Sequence, residues 1–85
     1  MFYCYILRSI PTQKLYIGYT DNWKRRLEEH NSGKNKATKP YIPYEMIFCS
    51  CFINQHDALA CEKYYKTTAG WKRIKQMLSH TFTRS

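Results

Sequence analysis

Acidic residues are scarce: the 85-residue chain has six Asp and Glu against 14 Lys and Arg. They are scattered, so no carboxylate cluster is available to hold two catalytic metal ions. There is no phosphate-binding G-x-x-x-x-G-K-[ST] loop and no G-x-G-x-x-G, and the serines stand in no Ser-His-Asp context. The four cysteines (Cys4, Cys49, Cys51, Cys61) include no C-x-x-C pair. Cys49-x-Cys51 puts both sulfurs on one face of a strand, which suits packing at least as well as metal binding. A zinc site from these cysteines and the three histidines is disfavoured on spacing. No apolar run approaches a membrane span. The Met1-Phe2-Tyr3 start lacks the basic segment and long apolar stretch of a secretory leader. A reducing cytoplasm, with no membrane partner, is the expected setting.

What is present is positive charge and aromatic surface. The formal net charge is +8 and aromatic residues make up 16% of the chain. A field of that sign attracts polyanions, so nucleic acid is the first expected partner. A chain this short buries one modest core, and large aromatic side chains compensate for its size. One domain is expected over residues 1–80, followed by a frayed C-terminal tail at 81–85.

The pattern predicts an α+β fold, a three-stranded antiparallel sheet flanked by three helices. Residues 2–8 and 14–20 are aromatic and β-branched and read as strands. The short Ile10–Gln13 loop between them favours a hairpin. Symmetry about Ile10-Pro11 would set Tyr5 opposite Tyr16, with Gly18 on the same face. Asp21 or Asn22 caps a helix running to about Asn31 or Ser32, with Gly33 as its C′ residue. Trp23 and Leu27 anchor it, and Arg26 and His30 share a neighbouring face. Residues 33–44 form a Lys-, Gly- and Pro-rich loop, and 45–52 a third strand. Residues 56–68 form a second helix with Ala58, Cys61 and Tyr65 inward. A short helix follows Gly70, with Trp71, Ile74 and Leu78 at helical spacing.

Phosphoryl chemistry in such a chain has to use Tyr, His, Arg and a single carboxylate. The planar fork of Arg26 suits phosphate. Glu62 projects from the second helix near its apolar face, and one carboxylate is enough for Mg²⁺, which keeps waters and takes phosphate oxygens as further ligands. Each residue also has a plain structural reading. The tyrosines can be core aromatics, Arg26 can pair with Glu29 or Asn22, His30 can be a solvated residue at a helix end, and Glu62 can pair with Lys66.

Tyr3-Cys4-Tyr5-Ile6-Leu7, then Tyr16-Ile17-Gly18-x-Thr20, then Arg26 and His30, resembles the GIY-YIG nuclease family. The short stand-alone bacterial members are the nearest in kind. Tyr5 and Tyr16 fall at the tyrosines of the two motifs, and Asp57-Ala58-Leu59-x-x-Glu62-Lys63 resembles the segment that supplies the metal-binding glutamate. The first motif reads Tyr3-Cys4-Tyr5 in place of Gly-Ile-Tyr, and no asparagine matches the one several members carry after the glutamate helix.

The resemblance implies an endonuclease that hydrolyses DNA phosphodiester bonds with low sequence specificity, in DNA repair or recombination, using one Mg²⁺ or Mn²⁺ held by Glu62. RNA is the alternative substrate, and a protein partner is an alternative source of targeting. Tyr5 or Tyr16 would deprotonate the attacking water, Arg26 would stabilise charge on the phosphate, and His30 would position water or relay a proton. Lys34, Lys36, Thr38 and Lys39 in the loop, with Lys63 and Lys66 on the second helix, read as contacts to the nucleic-acid backbone. A catalytically silent or partner-dependent nucleic-acid-binding module is the rival reading.

Overall fold

The computed structural model describes residues 1–83. Three strands, β1 (Phe2–Ser9), β2 (Leu15–Thr20) and β3 (Tyr44–Phe52), form an antiparallel sheet in the order β2-β1-β3. Four helices accompany them: α1 (Trp23–Asn31), α2 (Gln55–Tyr65), α3 (Thr68–Met77) and α4 (Ser79–Thr83). No helix among the described residues is long and apolar enough to cross a membrane.

Placing β1 in the centre explains why its residues run buried from Cys4 to Ser9 with no polar alternation. One face, carrying Cys4, Ile6 and Ile17, packs against Tyr65 of α2 and Ile74 of α3, with Met77, Leu78 and Phe82 around them. The other face, carrying Tyr5 and Leu7, packs with Tyr44, Tyr16 and Leu27 of α1. This second face holds most of the candidate chemistry.

The hairpin register departs from the symmetric expectation. Tyr5 pairs with Gly18, and Tyr16 with Leu7. The turn is longer because Gln13 adopts φ 65° and its N–H donates to the Ser9 carbonyl at 2.8 Å. The Ser9 hydroxyl braces the same turn, accepting from Thr12 N–H at 3.2 Å and donating to the Tyr41 carbonyl at 2.6 Å. The displacement is an even number of residues, so the two tyrosines stay on one face. They are diagonal neighbours, with ring centroids 6.5 Å apart.

Asn22 caps α1 by accepting from Arg25 N–H at 3.1 Å, and Gly33 beyond its end takes φ +79°. Trp23 is more exposed than an anchor should be, at 39%. Leu27 and the buried His30 hold the helix to the sheet instead. The helix is also tied at its far end. The Asn31 side-chain amide donates to the Tyr44 carbonyl at 3.1 Å and accepts from Tyr44 N–H at 2.7 Å.

The α2–α3 boundary lies earlier than the sequence pattern suggests. Thr67 caps α3 by accepting from Gly70 N–H at 3.0 Å, so Gly70 sits within the helix. It is glycine because a β-carbon there would collide with the backbone of Tyr64 and Tyr65. The frayed tail expected after residue 80 is helical through Thr83, and Phe82 packs against the core. Arg84 and Ser85, also assigned to that tail, lie outside the described residues. The four cysteines are free thiols, and Cys49 and Cys51 are exposed on one face of β3, not packed.

Candidate active site

β1, β2, α1 and the loop after it converge on His30. Its ring is fully buried, which excludes the solvated helix-end alternative. Nε2 lies 3.0 Å from the Tyr5 hydroxyl, and Nδ1 lies 2.8 Å from the Thr38 hydroxyl. The ring also meets Tyr16 edge-on with centroids 5.0 Å apart, and Tyr44 at 6.3 Å. Both tyrosine motifs thus meet at one imidazole.

Gly18 makes room for this arrangement. A β-carbon at that position would collide with the end of the Tyr5 ring. Tyr5 is buried to 1% exposure, whereas Tyr16 is half-buried.

Burial pushes the Tyr5 phenol up to about 12, against a hydrogen bond and a charge from Arg26 that pull it down. The same hydrogen bond raises Arg26. Burial, then the Arg26 charge, pushes His30 below its ordinary value, with Glu29 opposing. At neutral pH the cluster therefore holds a neutral phenol, a neutral imidazole and a cationic guanidinium.

Arg26 Nη1 lies 3.2 Å from Glu29 Oε1 at a half-exposed position. It shares a cleft of about 230 Å³ with Glu29, Lys34 and Asn35. Glu62 is 22% exposed, and its Oε2 lies 3.1 Å from Lys66 Nζ. Both pairings foreseen as plain alternatives are therefore present, Arg26 with Glu29 and Glu62 with Lys66.

Among the described residues, no three His, Cys, Asp or Glu side chains group into a metal cage. One carboxylate with hard oxygen donors fits a Mg²⁺-type ion that completes its shell with water and phosphate. Glu62 is the residue that would hold it.

Lys34, Lys36 and Lys39 are exposed on the loop, as are Lys63 and Lys66 on α2. Thr38 departs from this group: it is 1% exposed, with its hydroxyl on His30. It is therefore placed away from a nucleic-acid backbone. The contact of Thr38 with His30 and the tie of Asn31 to the Tyr44 backbone are not foreseen by the sequence reading. Spacing alone carries no signal for a side chain that reaches across a loop.

The family described as the GIY-YIG catalytic domain matches residues 1–75. A UPF0213 protein of Pediococcus pentosaceus is 41% identical, over 87% of this chain and 78% of its own length. Another, from Oceanobacillus iheyensis, is 38% identical over 86% and 85%, and one from Streptococcus agalactiae is 30% identical over 92% and 89%. No solved structure matches. With this coverage and a three-stranded antiparallel sheet carrying both tyrosine motifs on one face, the chain belongs to the GIY-YIG family of nuclease domains.

Proposed function

We propose that this protein is a metal-dependent endonuclease that hydrolyses DNA phosphodiesters with low sequence specificity, in repair or recombination. The supporting observation is the meeting of Tyr5, Tyr16 and Thr38 on the His30 ring, with the Arg26 guanidinium close enough to pull on the Tyr5 phenol. Burial alone gives no reason for two phenols, an imidazole and a threonine hydroxyl to meet on one face of a small sheet beside an arginine.

Of the two tyrosines, Tyr16 is the more exposed and takes the role at the attacking water. Its oxygen accepts a hydrogen bond from the attacking water and takes the water proton while its own passes to solvent. The water oxygen bonds to phosphorus, the opposite P–O ester bond breaks, and the leaving alkoxide takes a proton from solvent. Arg26 meets the charge that builds on the non-bridging oxygens, a contribution of about 10²–10³ in rate for one well-placed donor. Tyr5 and His30, buried and joined by a hydrogen bond, form the fixed floor beside that guanidinium, and Glu29 orients it. Glu62 would hold the divalent ion, which supplies further positive charge against the phosphate when bound. The exposed lysines grip the backbone without reading sequence.

The test is incubation with supercoiled, single-stranded and branched DNA, and with RNA, in Mg²⁺, Mn²⁺ or EDTA. Cleavage lost in Arg26→Ala and in EDTA supports the reading. Binding without cleavage under every metal supports the non-catalytic module, which the existing Arg26–Glu29 and Glu62–Lys66 pairs favour.

A further inference from the structure

Thr38 sits in the loop between α1 and β3, flanked by exposed residues, yet it is among the most buried polar side chains described. Its Oγ1 has two neighbours: His30 Nδ1 at 2.8 Å and the Asn35 carbonyl at 3.4 Å. A carbonyl only accepts, so the Thr38 proton goes to Asn35 and the Thr38 oxygen is left to accept from Nδ1–H. At the other ring nitrogen, a protonated Nδ1 leaves Nε2 as an acceptor, so the Tyr5 hydroxyl at 3.0 Å donates to it.

We propose that Thr38 is a positioning residue that locks His30 as the Nδ1–H tautomer, so that Nε2 accepts from Tyr5. Every hydrogen bond then points one way: Tyr5 to His30, His30 to Thr38, Thr38 to Asn35. The opposite tautomer would aim an Nε2–H at the Tyr5 oxygen and turn the Tyr5 proton away from the ring. Among the described residues no further hydrogen bond reaches the His30 ring to settle the choice. The other rings it meets, Tyr16 of β2 and Tyr44 of β3, contact it edge-on. Glu29 and Arg26 on its own helix act on it through charge. The consequence for catalysis rests on the nuclease reading above; the tautomer does not.

The experiment is long-range ¹H–¹⁵N correlation NMR of the His30 ring at neutral pH in the wild-type protein, Thr38→Val and Thr38→Ser. Expected in the wild type is a protonated, pyrrole-type Nδ1 and an unprotonated, pyridine-type Nε2. In Thr38→Val the ring becomes a mixture of tautomers, and Thr38→Ser restores the single form. Turnover of DNA by Thr38→Val falls about tenfold to a hundredfold, the range for losing a residue that orients a functional histidine. KM for DNA stays within about twofold, and the serine variant recovers the rate. An Nε2–H tautomer in the wild type overturns the proposal, and that spectrum needs no variant to fold. A valine variant with an unchanged tautomer overturns it equally. If no nucleic acid is cut by any form, the nuclease reading fails while the NMR result still decides the role of Thr38.

Discussion

The Tyr5 ring lies directly over Gly18, its partner across β1 and β2, with no room for a β-carbon between them. Tyr5 cannot swing aside, because it is buried and its hydroxyl is held by His30. Gly18→Ala is therefore an overpacking substitution, expected to cost about 1–3 kcal/mol. Urea denaturation measures that cost. Single-turnover cleavage is expected to fall while DNA binding holds, since the displaced phenol no longer supports Arg26.

Acid should disable the site before it unfolds the protein. His30 titrates below 6.5 in the folded state because burial and the Arg26 charge oppose its protonation. Once protonated, both ring nitrogens donate, and Nε2 can no longer accept from Tyr5. The sign for stability follows from the same shift. The unfolded chain binds the proton first, so this contribution is complete above about pH 6.5 and is lost as pH falls through the folded value. Cleavage is expected to decline on that acid limb. In Arg26→Ala, NMR titration of His30 should show its pKa moving upward.

At the alkaline end, Tyr5 should be a late-titrating phenol, at about 12. The unfolded phenol ionises near 10. Stability is thus unaffected by this group below about pH 10 and declines as pH rises through the folded value. Ultraviolet difference titration should show one phenol ionising only as the fold is lost. Tyr5→Phe removes the donor to Nε2 and leaves a buried acceptor unsatisfied, a cost of about 1–3 kcal/mol.

In the proposed metal role of Glu62, Lys66 would compete with the divalent cation, because Nζ lies 3.1 Å from Oε2. Lys66→Ala should lower the Mg²⁺ or Mn²⁺ concentration giving half-maximal cleavage, while Glu62→Ala abolishes metal-stimulated cleavage. A metal midpoint unchanged in Lys66→Ala would remove Glu62 as the ligand.

The loop lysines should act through counterion release. Each of Lys34→Ala, Lys36→Ala and Lys39→Ala is expected to reduce the slope of log affinity against log salt by about 1 if it contacts a phosphate. Affinity should drop about equally for all DNA sequences. Thr38→Val should leave the slope unchanged, which separates it from its three neighbours.

Strands, helices and the shared face of Tyr5 and Tyr16 were legible because their signals are local. Alternation, the Asn22 cap and Gly33 are read within a few residues. The register was not, because it hangs on the positive φ of Gln13 and on Ser9 reaching Tyr41. Arg26 and His30 were legible as neighbours on one helix, but the burial of His30 depends on Thr38 and Tyr44 closing over it. Thr38 looked like a polar loop residue among lysines. Only the path of the loop back towards the helix turns it inward.

The Asn31 amide pairs with both backbone groups of Tyr44, as a neighbouring strand would. β3 is an edge of the sheet, and edges invite aggregation by strand addition. Here the first rung of the open edge is already occupied by a side chain. A few residues on, a bulge interrupts the pairing of β3 with β1 where Ile6 meets Phe48 and Leu7 meets Met46. The free template on this edge is thereby shortened and bent, so a tie that anchors α1 also works against strand addition at β3.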